Sequence, residues 1–399
     1  MRQNIDTNIW KFNLALFLRA IILLSPVLLL FYQENGLTVK DLFFFQGIFY
    51  LTSILSELPV GYISDAIPRK FMLLISFVIY FGINFMWLNW HGFGVILLGE
   101  ILFAVSKVMM DNAMSGYVYD YLDTKNKINK MTNYYGYLNC FLSLGTAVAA
   151  LVGAFLYSKF GSSTLLKSEM IIIFVSIVLI SLVPTIRLQK TCFSSIKDRI
   201  SYFGKMLVTI CRKKQIKYYI LYSGILTSVS ILFALSFQPL MQKSMVPVFM
   251  FGVVAFLNHG TRALSGIIAG KYCKNFNIKK MAKLLLFIFI IGFGLIFWTF
   301  YSKNPFITVL LLFIICLIIC MQLIFTIMHV SRLYKFVNSN ERGSLIAVNN
   351  FVSRSITAMV LISSKFFLND IRYWIIVLTF FILVGTFAVC KIDKTGEKV

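Results

Sequence analysis

The chain has 399 residues, of which 59% are apolar and only 13% are charged. Soluble domains carry about 25% charged residues, so this chain cannot cover itself with a water-compatible surface. The composition excludes a soluble enzyme, a single-anchor protein and an intrinsically disordered chain. Continuous apolar runs such as 171–182, which lack a two-residue alternation, favour membrane helices over a transmembrane barrel.

Helical spans account for most of the chain. A membrane-crossing helix needs about 20 predominantly apolar residues, and the sequence offers twelve such segments. The predicted spans are 12–32, 42–63, 71–88, 94–118, 134–157, 165–186, 218–238, 247–270, 281–301, 305–330, 345–367 and 371–390. We therefore predict an all-α membrane protein with twelve transmembrane helices in two pseudo-symmetric six-helix bundles.

The longest polar stretch divides these spans into two halves. Residues 187–217 are rich in Lys and Arg, which predicts a basic connector between an N-terminal bundle, 1–186, and a C-terminal bundle, 218–399. Residues 194–205 have the pattern of an amphipathic surface helix. The halves also share positions, such as Gly61 with Gly266, and such repeats predict a transporter that binds its substrate between them.

The positive charge is spread unevenly over the predicted loops. The formal net charge is +23, and most Lys and Arg residues fall on the side that holds both termini. By the positive-inside rule this side is cytoplasmic. The charge therefore indicates topology and attraction to anionic lipid, and it gives no reason to expect a nucleic-acid partner.

One loop carries a recognisable motif. Between spans two and three the chain reads Gly61-Tyr-Ile-Ser-Asp65-Ala-Ile-Pro68-Arg69-Lys70. This resembles the signature loop of the major facilitator superfamily, G-x-x-x-D-[RK]-x-G-[RK]-[RK], and departs from it at the sixth and eighth positions. The preceding run, which starts at Glu57, is similar to that of bacterial members that export drugs or metabolites. The resemblance implies a location in the cytoplasmic membrane of a bacterium.

The same resemblance implies a cytoplasmic gate made of Gly61, Asp65, Arg69 and Lys70. Asp65 is expected to accept hydrogen bonds from the amides that begin span eleven, where the helix dipole favours an anion. The alternative is that these residues only set the topology. The antiporter signature of span five is poorly met: Gly145 and Gly153 fit it, but alanines replace its Gly-Pro pair, which leaves proton-coupled export open.

Charged side chains inside the spans are the main candidates for function. Each costs about 2.5–3.5 kcal/mol at the bilayer centre on insertion scales, so it usually faces a partner or a wet cavity. Glu57 and Asp111 are the candidates for proton coupling, and Lys107 lies one helical turn before Asp111 and can pair with it. The substrate-cavity candidates are Arg19, Lys107, Asn139, Gln238, Arg262, Gln322, Asn350 and Arg354.

The roles of these charges stay open at this point. Bases outnumber acids inside the spans, which favours an anionic or zwitterionic group in the cavity. Arg262 and Arg354 either bind that group or snorkel to helix ends, and Glu57 is either a proton carrier or a structural partner of the gate.

No sequence signature of an enzyme, a phosphate-binding loop, a metal site or a cofactor is present. The leading hypothesis is a monomeric secondary active transporter that exports a small amphipathic organic solute by alternating access, as a proton antiporter. The alternative is an uptake or exchange carrier for an anionic or zwitterionic metabolite bound by arginines. A third hypothesis is a sensor or lipid-handling protein that does not transport.

Overall fold

A computed structural model describes residues 7–127, 131–186, 196–212, 214–272, 278–301, 304–333 and 342–367. The regular elements in these ranges are helices. Their bounds are α1 Thr7–Arg19, a 3-10 turn Ser25–Val27, α2 Leu28–Glu34, α3 Val39–Ala66, α4 Arg69–Asn89, α5 Phe93–Thr124, α6 Met131–Ser181, α7 Ile196–Arg212, α8 Lys214–Lys243, α9 Val248–Tyr272, α10 Ile278–Tyr301, α11 Pro305–Leu333 and α12 Arg342–Phe367.

These helices cover the first eleven predicted spans, while the predicted span 371–390 lies outside the described residues. Six stretches of the described chain are long and apolar enough to cross a membrane. They are Val39–Ser64, Arg69–Asn89, Phe93–Thr124, Gly136–Ser181, Ile216–Lys243 and Pro305–Met328. Helix α7 falls in the predicted basic connector.

Span one is broken, although the sequence predicts it as one helix over 12–32. Helix α1 ends at Arg19, and the chain re-enters helical structure only at the 3-10 turn that precedes α2. Pro26, inside that turn, has no N–H group to give to a helical hydrogen bond. The two short helices therefore replace one continuous span.

Spans five and six meet without a loop. Both belong to α6, which bends at Gly161, where φ is +74° and ψ is −177°. A side chain with a β-carbon is strongly disfavoured at this torsion angle, whereas glycine adopts it readily. The predicted connection at 158–164 is thus a kink at one residue.

The chain divides into two compact units: Met1–Thr38 with Leu51–Ile200, and Val39–Tyr50 with Ser201–Val399. In the first unit, α4 packs against α5 and α6, and α1 packs against α6. In the second, α11 packs against α8 and α9, and α12 packs against α8. The domain bounds 1–186, 187–217 and 218–399 stay a prediction.

Large apolar side chains are exposed on the helices. Leu55 is 68% exposed, Ile171 is 67% exposed and Phe287 is 62% exposed. Soluble monomers rarely expose extended apolar surfaces, whereas a lipid environment favours them. This surface agrees with the membrane-spanning reading of the sequence.

Candidate functional site

The turn between α3 and α4 holds Arg69 in a set of polar contacts. Its Nη1 donates to the backbone oxygen of Ser64 and, at 2.5 Å, to the Ser64 hydroxyl. Its Nε lies 3.7 Å from Oδ2 of Asp120 on α5. Gly116 leaves room for the guanidinium, because a β-carbon there would lie 2.7 Å from Arg69 Nε. Arg69 therefore ties the motif turn to α5.

The other motif residues are placed as follows. Gly61 is buried on α3, and Lys70 Nζ donates to the backbone oxygen of Ser181, at the end of α6, over 2.6 Å. The side chain of Asp65 lies outside the described part of the structure, so its contact with span eleven stays a prediction. Sequence reasoning missed Asp120, whose signal is an acid at the end of a span beside a basic turn.

Two of the predicted charges meet on α5. Lys107 Nζ lies 2.5 Å from Asp111 Oδ1, and the two side chains are 38% and 37% exposed. A charged pair inside a span is costly where it faces lipid. An accessible pair within a span is therefore a candidate for a polar site, and Glu57, which is half-buried on α3, is the second predicted acid.

Arg19 lies in the interior of the first unit, where it is 1% exposed. Its Cζ atom sits 3.6 Å from the centroid of the Tyr80 ring, which is a close cation–π contact. Its Nη2 lies 3.5 Å from the hydroxyl of Ser106, which in turn donates to the backbone of Ser76 over 2.8 Å. Arg19 is thus held by packing and polar contacts with two helices, α4 and α5.

An acid that the sequence analysis did not single out also belongs to the cluster around Arg19 and Tyr80. Glu169 on α6 is 0% exposed. Its carboxylate accepts a hydrogen bond from the Tyr80 hydroxyl and another, at 3.3 Å, from the backbone N–H of Leu24. The available signal was an ionisable residue inside predicted span six, which belongs with the costly intramembrane charges.

The second unit brings two of the predicted arginines to one tyrosine. Tyr50 interacts electrostatically with both Arg262 on α9 and Arg354 on α12. Arg262 is exposed and Arg354 is partly buried. Arg262 also acts on Cys316 of α11, so this positive region involves four helices, α3, α9, α11 and α12.

The predicted amide candidates have different surroundings. Gln322 is 1% exposed. Its amide oxygen accepts a hydrogen bond from the Ser230 hydroxyl, and its amide nitrogen donates to the backbone oxygen of Leu226 over 3.3 Å. It joins α11 to α8. Asn139 on α6 and Asn350 on α12 are exposed, while Gln238 on α8 is partly buried. The Gln322 amide is thus used in packing, and a role of Asn139, Gln238 and Asn350 in binding stays a prediction.

These arrangements support binding and ion pairing. Within the described residues, no group of three or more His, Cys, Asp or Glu side chains is placed to hold a metal ion. The ionisable groups occur as charge pairs, a buried network and a positive region. Such sets bind charged solutes and protons, as intramembrane charges do in transport proteins.

Comparisons with known proteins agree with this architecture. The sequence pattern of the Major Facilitator Superfamily matches residues 12–362. The chain is similar to the quinolone resistance protein NorA of Staphylococcus aureus (strain Mu50 / ATCC 700699), with 24% identity over 145 residues. That match covers 36% of each chain, so this chain spans about a third of the length of the curated relative. The same protein from strain N315 matches equally well.

Solved structures resemble the whole fold. The nucleoside transporter NupG aligns with a TM-score of 0.75 and 14% identity over 98% of this chain and 100% of that one. The POT family transporter PepTSo aligns with a TM-score of 0.74 and 11% identity, over 98% and 99% of the two chains. These likenesses confirm the predicted all-α, twelve-helix type of membrane fold.

The family match covers far more than half of the chain, and it includes the motif turn, the paired charges of α5 and both arginines of the second unit. The solved structures that resemble it share its fold at 11–14% identity. This chain belongs to the Major Facilitator Superfamily.

Proposed function

We propose that this protein is a proton-coupled secondary transporter that exports a small amphipathic organic solute from the cell by alternating access. The observation that carries the proposal is the accessible Lys107–Asp111 pair inside a membrane span. Protonation of the acid removes its negative charge and weakens its hold on Lys107. This change is the elementary event through which a proton alters a transport site.

The proposed direction of transport and the proposed class of solute are supported by the similarity to NorA. The similar stretch of NorA belongs to a protein named for quinolone resistance. Resistance to an antibiotic agrees with outward movement of the drug. Quinolones are amphipathic, since a planar aromatic system carries a carboxylate and an amine, and they serve here as probes of the proposed class.

Transport in proteoliposomes with an imposed pH gradient tests the proposal. The probes are norfloxacin as an amphipathic zwitterion and ethidium as an amphipathic cation. The pH gradient is expected to drive their transport, and Asp111→Asn or Glu57→Gln is expected to reduce it to the level of protein-free vesicles. Glu34→Gln, which neutralises an exposed acid on α2, is the matched control and should transport normally.

Two results would contradict the proposal. The first is that the wild-type protein moves neither probe under either direction of the gradient, which removes the solute class and the coupling. The second is that Asp111→Asn and Glu57→Gln both transport at the wild-type rate, which removes coupling through these two acids.

A second candidate function is a carrier for an anionic or zwitterionic metabolite. It is supported by the positive region around Tyr50, where Arg262 and Arg354 both act on one side chain. Arginine suits carboxylate recognition because its planar fork can bind both oxygens. This carrier is expected to move benzoate in preference to ethidium, and the double variant Arg262→Gln/Arg354→Gln should lose that preference, whereas Lys243→Gln at the end of α8 should keep it.

A further inference from the structure

The break in span one interrupts the regular helical hydrogen bonds inside a predicted membrane span. Between Arg19, which ends α1, and the 3-10 turn that starts at Ser25, the chain is not helical. Backbone N–H and C=O groups at membrane depth need partners, because no water is available in the hydrocarbon core. The residues that meet this break therefore determine whether it is stable.

Helix α6 meets the break from two positions. Glu169 accepts the backbone N–H of Leu24. A β-carbon at Gly153 would overlap the backbone oxygen of Leu23, so only a glycine permits this approach. Turn hydrogen bonds inside the break serve the N–H groups of Ala20, Ile21, Ile22 and Ser25. Helix α6 adds one close backbone contact and one carboxylate, and of these two only the carboxylate can change its charge.

The Tyr80 side chain lies between the Glu169 carboxylate and the positive charge of Arg19. The guanidinium of Arg19 lies over Tyr80, while the Tyr80 hydroxyl donates to Glu169. Arg19 is the cation that acts on the Glu169 carboxylate, and Asp111 is a further acid that acts on Arg19. Asp111 is itself paired with Lys107. The titratable and charged groups around Glu169 are therefore Tyr80 on α4 and Arg19 on α1, with the α5 pair beyond Arg19.

A second buried acid of the same unit also has a tyrosine partner. Glu100 on α5 is 1% exposed, and the Tyr32 hydroxyl donates to it over 2.5 Å. Tyr32 lies within α2, where the backbone is helical, whereas the backbone partner of Glu169 lies in the break. Glu100 and Glu169 thus share burial and a tyrosine partner, and Glu169 in addition contacts the interrupted part of span one and the Arg19–Tyr80 pair.

We infer that Glu169 is a proton-binding site of this transporter and that its protonation loosens the break in span one. The inference rests on the proposed proton-coupled function and adds a site to it. One proton from solution adds to a carboxylate oxygen, and the side chain changes from −1 to neutral. The new O–H group is a donor, so it competes with the donors Tyr80 and Leu24, and Arg19 loses its balancing charge. Release of the proton on the other side of the membrane restores the first arrangement.

Glu169→Gln tests the inference, with Glu100→Gln as the matched control. Glutamine keeps the size of the side chain and an acceptor oxygen for Leu24, but it cannot titrate. Transport of norfloxacin and ethidium driven by a pH gradient is expected to fall to the level of protein-free vesicles in Glu169→Gln. Exchange of either probe without a gradient should continue, and Glu100→Gln should retain both activities.

Infrared difference spectroscopy of the purified protein gives a readout that needs no substrate. The difference spectrum between mildly alkaline and mildly acidic buffer should contain one carboxyl C=O band for each acid that titrates, including Asp111 and Glu57. The band that Glu169 contributes is expected in the wild-type protein and in Glu100→Gln, and it should be missing from Glu169→Gln. If Glu169→Gln does not fold, Glu169→Asp, which keeps a titratable carboxyl, should show the band at a shifted frequency.

The outcomes separate this inference from the proposed function. Unchanged gradient-driven transport in Glu169→Gln, or an unchanged carboxyl band, overturns the inference alone. Wild-type protein that moves no probe under a pH gradient overturns the proposed function, and the infrared band still decides whether Glu169 binds a proton.

Discussion

Tyr80 connects two buried charged side chains of the first unit. Its ring face supports the guanidinium of Arg19, and its hydroxyl serves the carboxylate of Glu169. A hydrogen bond to a charged acceptor in a buried place is stronger than one between neutral groups. The two functions of Tyr80 can be separated, because phenylalanine keeps the ring and removes the hydroxyl.

Tyr80→Phe is expected to destabilise the protein by about 1.5–3 kcal/mol, the range for a hydrogen bond to a charged group. The loss should appear as a lower unfolding temperature of the detergent-purified protein, followed by tryptophan fluorescence. Tyr137→Phe removes the hydroxyl of a tyrosine that is 59% exposed and should not change this temperature. Equal unfolding temperatures for Tyr80→Phe and the wild type would show that the hydroxyl contributes nothing to stability.

Single residues show where sequence reasoning succeeds and where it stops. The four-residue spacing of Lys107 and Asp111 predicts a pair, and helical geometry alone brings them together. The partner of Arg19 could not be found in this way. Its contacts come from residues on other helices, such as Tyr80 and Ser106, and hydropathy gives no information about which faces of two spans meet.

At the scale of helices, glycines set how closely α6 approaches span one. A β-carbon at Gly145 would lie 2.6 Å from the backbone oxygen of Phe17, and one at Gly153 would overlap that of Leu23. Close approach at small residues is a common way for membrane helices to pack. These two glycines are also the ones that match the antiporter signature of span five, and here they have a packing role.

Gly153→Ala is expected to destabilise the first unit by about 1–3 kcal/mol, because the added methyl group must displace backbone atoms. Gly136→Ala is the matched control on the same helix, since a β-carbon there meets nothing within 4 Å. Thermal unfolding of both purified variants measures the difference. If the two alanine variants unfold at the same temperature, the contact with span one does not limit packing.

Span boundaries illustrate how far hydropathy predicts the helices. The predicted span 71–88 corresponds to Arg69–Asn89 and 281–301 to Ile278–Tyr301, because the apolar run itself defines such a helix. The break in span one was not predicted, since 20–24 is apolar and contains neither glycine nor proline. Pro26 lies just after this segment and supplies no N–H to a helical hydrogen bond, and a carboxylate from another helix accepts the Leu24 N–H.

For the whole molecule, the net charge of +23 indicates a preference for anionic lipid. Helix α7 concentrates part of this charge, with Lys197, Lys205 and Arg212 exposed on it. On its other side, the Phe203 ring lies 5.5 Å from that of Phe351 on α12. The helix thus has one face that packs on protein and one basic face that suits lipid head groups.

The protein is expected to unfold at a higher temperature in vesicles that contain phosphatidylglycerol than in pure phosphatidylcholine, and added salt should reduce the difference. Each basic side chain near an anionic surface contributes about 1 kcal/mol to its binding. The triple glutamine variant at 197, 205 and 212 should lose part of the difference, while Lys159→Gln on α6 should keep it. Equal unfolding temperatures in both lipids would contradict this expectation.

The kink at Gly161 divides α6 into two parts that both contact span one. Gly153 precedes the kink and Glu169 follows it by the same number of residues. Gly153 contacts the backbone of Leu23, and Glu169 accepts a hydrogen bond from the backbone of Leu24. Since the non-helical torsion angles of Gly161 alone separate the two parts of α6, a movement of one part is expected to move the other. An insertion of a few flexible residues at Gly161 is therefore expected to uncouple the Gly153–Leu23 contact from the Glu169–Leu24 hydrogen bond. The insertion would do so without altering any residue that touches span one.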